Sequence, residues 1–249
     1  MSKIFDALRK AEKESDLLQW PQETTVAPKE PKPPRHLRRL ESEFGYLSNS
    51  LQSCFPHSRA GRVVQVVGCV QREGATYVAS NLARVLARSG GMPVLYLDGD
   101  FHNPSLEREF HTPHHLGITD VYTNGSPRDL SSIIQVGDTD QLYVMRTGER
   151  RIAPAAFYSG PEFAGIMSSL RRAFRFIIID APPLLKYPDS IHLASRADGV
   201  VMVVRHKHLK REVIRKGIEM IEGANTPILG AVLNRRKFAI PDLIYRIVS

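Results

Sequence analysis

Cysteine is nearly absent: the chain of 249 residues holds two, Cys54 and Cys69. Two thiols exclude a disulfide-stapled secreted scaffold and suit a reducing compartment. Cys69 is expected to be a small buried filler rather than a redox centre. Tryptophan occurs once, at Trp20, as a docking anchor or as a cap against the body. Long hydrophobic runs are also missing. The strongest, 176–179 and 199–204, are strand-length and fall short of the about 18–20 residues a membrane helix needs. No extended apolar core follows the basic start, so no secretory signal is expected and the location is expected to be cytoplasmic. Acidic charge is in deficit, with 26 Asp and Glu against 34 Lys and Arg, a formal net charge of +8. That surplus leaves open contact with nucleic acid, anionic lipid or an acidic protein, as well as simple solubility. A last absence is local. In GCVQREGATYVASN (68–81), Ala75 stands where a phosphate-binding loop would carry its lysine.

What is present divides the chain. Residues 1–20 place Ile4, Phe5, Leu8 and Ala11 on one face of an amphipathic helix. That helix either packs on its own domain or acts as an arm for a partner or a membrane surface. Residues 21–35 contain Pro21, Pro28, Pro31, Pro33 and Pro34 among polar residues, a stiff disordered linker that favours the arm. Residues 36–249 are expected to form one α/β domain. Strands are expected at 63–67, 92–97, 142–145, 174–179, 200–204 and 228–233, and helices at 74–88, 161–172 and 211–222. Apolar strands alternating with helices imply a doubly wound, mostly parallel sheet covered on both faces. Ligands bind such sheets at the carboxyl ends of the strands, where Gly68, Asp98, Asp180 and Asn234 all fall.

Those residues suggest chemistry. A phosphate loop works through backbone N–H groups and a helix N-terminus, with glycine allowing close approach. Against G-x-x-x-x-G-K-[ST], Cys69 takes the first glycine position and Gly74 the second. Thr76 supplies the hydroxyl normally bound to magnesium. Asp98 and Asp100 follow one strand and Asp180 ends another. A buried carboxylate is costly unless it is hydrogen-bonded, paired or faces a cation. With Thr76 the three aspartates make an oxygen-donor set of the kind magnesium prefers; the alternative is that each aspartate caps the following helix. Arg72 could return part of the missing charge or face solvent. His102, His111, His114 and His115 read as a solvated cluster rather than a metal site. Arg235, Arg236 and Lys237 either bind an acidic surface or are a solvated strand exit. The apolar tail 238–245 is expected to pack on the body.

The series GCVQREGATYVASNLA, VLYLDGDFHNPSL, FIIIDAPP and ILGAVLN resembles the cytoplasmic domain of bacterial tyrosine kinases, which belong with the MinD/ParA-type P-loop ATPases and accompany polysaccharide co-polymerases in capsule and exopolysaccharide export. HHLGITDVYTNG, YPDS and ASRADGVVMVVR support the likeness over residues 41–234. The opening MSKIFDALRKAEK is similar to the start of stand-alone exopolysaccharide-associated members. The resemblance implies ATP or ADP and Mg²⁺ as cofactors. Asp98, Asp100 and Asp180 would serve magnesium and catalysis, with Thr76 as the magnesium hydroxyl and Asn234 contacting adenine. It also marks departures. The loop P-G-E-G-K-S reads Gln71-Arg72-Glu73-Gly74-Ala75-Thr76, and an expected arginine is His102. The E-x-x-R-x-x-R oligomerisation motif appears as Ser42, Gly45 and Ser48, although a homo-oligomer stays open. The tyrosine-rich tail is reduced to Tyr245. The resulting expectation is a degenerate kinase-like protein that regulates or scaffolds exopolysaccharide synthesis or export. Its first helix would engage a membrane-embedded co-polymerase or glycosyltransferase and hold it at the inner face of the membrane. The alternatives are an active tyrosine autokinase using Arg72, and a MinD/ParA-like positioning ATPase; nucleic acid is not an expected partner of the leading reading.

Overall fold

Arg62–Gly68 (β1) is apolar at all but two positions before its closing glycine because both of its faces are covered. Val63 and Val67 join one core layer, while Val64 and Val66 join the other. The same alternation divides Val94–Asp98 (β2), Phe176–Asp180 (β7) and Gly199–Arg205 (β8) between two cores, which explains their continuous apolar runs. The computed structural model describes residues 35–56, 60–90, 92–111, 116–123, 126–127, 130, 133–139, 141–148 and 152–235. The expected helix 1–20, most of the linker and the tail beyond Arg235 lie outside the described residues.

The main sheet has seven strands in the order β5-β6-β2-β7-β1-β8-β9. Here β5 is Gln135–Val136, β6 is Leu142–Met145 and β9 is Ile228–Asn234. All pairs are parallel except β5 with β6. Tyr122–Thr123 (β3) and Ser126–Pro127 (β4) form a separate hairpin.

One face carries α1 (Arg35–Ser53), α2 (Ala75–Gly90) and α3 (Leu106–Phe110). The α2 sequence brings Ala79, Ala83 and Ala87 together with Val78, Leu82 and Leu86 toward the sheet, all buried. Small residues let the helix lie close, and each fully buried leucine contributes roughly 1.5–3 kcal/mol. The opposite face carries α4 (Pro154–Ser159), α5 (Pro161–Ala173), α6 (Asp189–Ala194) and α7 (Arg211–Gly223).

The expected elements appear with small shifts. β2 begins at Val94 rather than at residue 92 and includes Asp98. β7 begins at Phe176 because Phe174 closes α5 in extended conformation, its N–H returning to the Leu170 carbonyl. Arg35, placed at the end of the linker, is the first residue of α1. Ser48, expected as an oligomer-motif position, is buried, with its hydroxyl 3.4 Å from that of Ser89 on α2. Cys69 is the buried filler expected of it: burial and then the Glu73 carboxylate push its thiol up to about 11, and its sulfur faces Gly217. Among the described residues, no helix is long and apolar enough to cross a membrane.

Candidate functional site

Parallel register brings the two buried aspartates side by side. Asp98 at the end of β2 is the Cα partner of Asp180 at the end of β7, and Asp180 also neighbours the strand leading to the loop. Both are almost fully buried. The backbone between them is pinned: Gly99 N–H donates to the Asp180 carbonyl at 2.8 Å, and the Tyr158 hydroxyl donates to the Gly99 carbonyl at 2.8 Å.

Fixed donors meet these carboxylates. Asp98 Oδ2 accepts from Ser105 N–H at 2.6 Å and Leu106 N–H at 2.9 Å, while Oδ1 accepts from Asp100 N–H at 3.2 Å. Asp98 therefore tethers the start of α3, the capping role anticipated as an alternative, and keeps one lightly used oxygen. Asp180 Oδ2 accepts from the Tyr96 hydroxyl at 2.9 Å and lies 3.2 Å from Ser105 Oγ. The Thr76 hydroxyl also hydrogen-bonds the Asp180 side chain. Burial lifts Asp98 to about 6 and Asp180 to about 7, the latter raised further by the charge of Asp98. Asp100 is half-buried, and burial raises its pKa as well. Its Oδ1 accepts the N–H groups of His102 at 2.9 Å and Asn103 at 3.1 Å, closing a tight turn.

Glu73, Gly74, Ala75 and Thr76 run from the loop after β1 into the first turn of α2. Gly74 has φ +93, and a Cβ there would collide with the Asn234 side-chain amide. That amide donates to the Glu73 carbonyl at 2.8 Å, so Asn234 braces the loop from the end of β9. The Glu73 carboxylate is buried and accepts from Val70 N–H at 3.0 Å and Arg205 N–H at 3.3 Å. Leu184 and Leu185 donate N–H groups to the carbonyls of Gly68 and Cys69, holding the loop after β7 against the base of this one. Ala75 packs its methyl against the α1/α2 core, and Arg72 is exposed on a turn with φ +68.

The structure thus gathers Thr76, Asp98, Asp100 and Asp180 near the carboxyl ends of β2 and β7, with Gly74 on the adjoining loop, Ala75 at the start of α2 and Asn234 bracing that loop from the end of β9. Among the described residues, no Lys or Arg pairs with Asp98 or Asp180. Likewise, none of the described residues forms a cluster of three or more His, Cys, Asp or Glu side chains able to hold a metal. His111 is exposed at the end of α3, and 114–115 lie outside the described residues.

Four contributors went unnoticed in the sequence. Tyr96 and Ser105 supply hydroxyls to the aspartates, and Glu73 ties the loop to β8. Asp189, buried at the start of α6, meets His102 Nε2 at 2.5 Å, and the His102 ring stacks on Tyr187 at 3.7 Å. For Tyr96 and Asp189 a signal existed: each is a polar group within or beside an apolar element that must find a partner when buried.

No protein-family model matches the chain. It is 26% identical over 202 residues to the tyrosine-protein kinase CpsD of Streptococcus agalactiae, covering 81% of this chain and 86% of that protein. It is 27% identical over 181 residues to the tyrosine-protein kinase YwqD of Bacillus subtilis, covering 73% and 75%. Among solved structures it is similar to the VpsO kinase domain, with TM-score 0.70 and 25% identity over 81% of this chain and 98% of that one. The chimerical protein CapA2B2 superposes with TM-score 0.69 and 27% identity over 78% and 83%. MinD of Pyrococcus horikoshii, solved with Mg-ADP, shares the fold at TM-score 0.59 and 20% identity over 76% and 77%.

Proposed function

We propose that this homologue of bacterial tyrosine-protein kinases is a degenerate kinase-like P-loop protein that regulates or scaffolds exopolysaccharide or capsule synthesis and export. One observation carries the reading: Ala75 opens α2 directly beside an ordered acidic cluster. The acidic half keeps its donors and register, while the position that would bring a fixed cation to the phosphates carries a methyl group.

The donor set fits magnesium. That ion commonly takes one or two carboxylates and completes its shell with water and substrate phosphates. Thr76, Asp180 and the lightly used oxygen of Asp98 would hold it, and when bound it would supply positive charge to nucleotide phosphates. The chain's own residues do the rest. Gly74 lets the Asn234 amide lie against the loop and hold it in shape, and the first N–H groups of α2 would face a bound phosphate. Asp100, half-buried beside the same strand end, is the carboxylate best exposed to accept a proton from an incoming group. Phosphoryl transfer relies mainly on positioning and charge stabilisation, and loss of one such electrostatic group costs on the order of 10² to 10³ in rate. The N-terminal helix would engage a membrane-embedded co-polymerase or glycosyltransferase and bring the domain to the inner face of the membrane.

The test is calorimetric titration of the natural chain and of Ala75→Lys with Mg·ATP and Mg·ADP. The natural chain is expected to bind weakly, and the lysine to raise affinity by about 100-fold, in line with the worth of one positioned charge. Robust ATP-dependent tyrosine phosphorylation by the purified natural chain, abolished by Asp98→Ala, would overturn the reading.

A further inference from the structure

Three neighbouring strands, β1, β8 and β9, leave the sheet through turns that each place a basic residue in the left-handed region: Arg72 at φ +68, Lys207 at +55 and Arg235 at +54. That region favours glycine, yet each turn presents a long cation to solvent. The turns are joined to one another. Arg205 is the Cα partner of Asn234, His206 N–H donates to the Asn234 carbonyl at 2.9 Å, and Arg205 N–H donates to Glu73 in the first loop. Lys210 and Arg211 open α7 immediately beyond, and Arg215 follows one turn later, all exposed. None of these six cations makes an ion pair among the described residues. The carboxylates nearby do not neutralise the patch. Glu73 is buried on backbone N–H groups, and Glu212 is a single acid in the first turn of α7.

We propose that this basic edge docks on the surface of an anionic phospholipid bilayer. The cations lie on protruding turns and a helix end, a shape suited to a flat charged surface. Leu233 on the outer strand is half exposed, one residue before Asn234 and two before Arg235, so an apolar side chain borders the charge. Cations rimmed by aliphatic groups are the combination that headgroups and acyl chains recognise together. Single-stranded nucleic acid binding would call for aromatic rings to stack on bases. The exposed tyrosines among the described residues, Tyr46 and Tyr77, belong instead to α1 and α2. This surface acts independently of whether the acidic site takes a nucleotide.

The experiment is co-sedimentation of the full chain with phosphatidylcholine vesicles containing about one-third phosphatidylglycerol, an anionic leaflet that attracts basic segments. Pure phosphatidylcholine vesicles and a DNA duplex run in parallel. Binding is expected to require the anionic lipid and to fall steeply as salt rises. Each cation is worth about fivefold, so Lys207→Gln/Lys210→Gln/Arg211→Gln is expected to bind about 100-fold more weakly. Lys10→Gln/Lys13→Gln, in the segment 1–20 expected to be helical, is expected to bind as the natural chain does, and a loss as large as the triple variant's would overturn the proposal. Thermal unfolding followed by circular dichroism verifies the fold, and single Lys207→Gln and Arg211→Gln variants, each expected to lose about fivefold, stand in if the triple variant unfolds. Equal binding to neutral vesicles, undiminished binding by the triple variant, no binding at all, or tighter binding to the duplex than to anionic vesicles would each overturn the proposal.

Discussion

The carboxyl edge of the sheet is divided into two halves of opposite character. Over β2 and β7 sit Asp98 and Asp180, buried and held by hydroxyl and N–H donors. Over β1, β8 and β9 sit exposed cations on turns, without ion pairs among the described residues. Charge buried away from water must be matched by fixed donors or it protonates. Charge left in water needs no match and adds little to stability, yet it acts at a distance. The acidic half is therefore organised in advance and costly to the fold, whereas the basic half is nearly neutral to the fold and available to partners. Gly74 and Ala75 lie at the seam, where a lysine would have linked the two.

The largest effect is expected at that seam. Gly74→Ala combines φ +93 with a Cβ that collides with the Asn234 amide bracing the loop. Backbone strain together with the lost hydrogen bond is expected to cost about 3 kcal/mol in urea unfolding. A loss below about 1 kcal/mol would mean that the loop is loose, and the sharp boundary between the halves would disappear.

Asp180→Asn is next, and its sign depends on pH. Burial lifts Asp98 to about 6 and Asp180 to about 7 from an ordinary value of 3.8. A raised carboxyl holds its proton more tightly folded than unfolded. It contributes stability that is complete below about pH 4 and lost as pH rises through the folded values. The natural chain without magnesium is thus expected to weaken between about pH 4 and 7, the window between the ordinary value and the two raised ones. Asp180→Asn is expected to flatten that profile and to be more stable at pH 8 by about 2 kcal/mol. Magnesium should stabilise the natural chain and not the variant. A flat profile for the natural chain would show that the acidic half is as well solvated as the basic one.

Much of the acidic half was legible because each aspartate ends an apolar run, and strands of a parallel sheet deliver their ends to one edge. Register, which decides that Asp98 faces Asp180, is set by how β2 and β7 align, and no local pattern encodes it. Ser105 escaped for the same reason: it sits in a loop, and its hydroxyl matters only once the sheet is assembled, whereas Tyr96 is a polar group inside an apolar strand whose need for a partner the sequence does carry. Asp189 lies in YPDS (187–190), where the local sequence does not name His102 as its partner. The short helices α3, α4 and α6, of five or six residues each, escaped because fewer than two turns carry too little periodicity to read. On the basic side the residues Arg235-Arg236-Lys237 were visible as a run. The union of Arg235 with Arg72 and Lys207 depended on the β1-β8-β9 strand order.

The smallest effect, at Arg72, separates the halves most cleanly. Arg72 lies two residues before Gly74 and also adopts a left-handed conformation, but its side chain is exposed and makes no ion pair among the described residues. Removing the side chain forfeits little. Arg72→Gly relieves a strain of about 1–2 kcal/mol and gives back part of that through the greater freedom of the unfolded chain, for a net gain of about 0.5 kcal/mol. The same change removes one cation from the edge and should weaken anionic-vesicle binding by about fivefold. A variant that folds more firmly and binds less tightly is the signature of a residue retained for its charge. If Arg72→Gly instead destabilises the chain, the guanidinium has a structural contact, and the basic half belongs to the fold as much as the acidic one does.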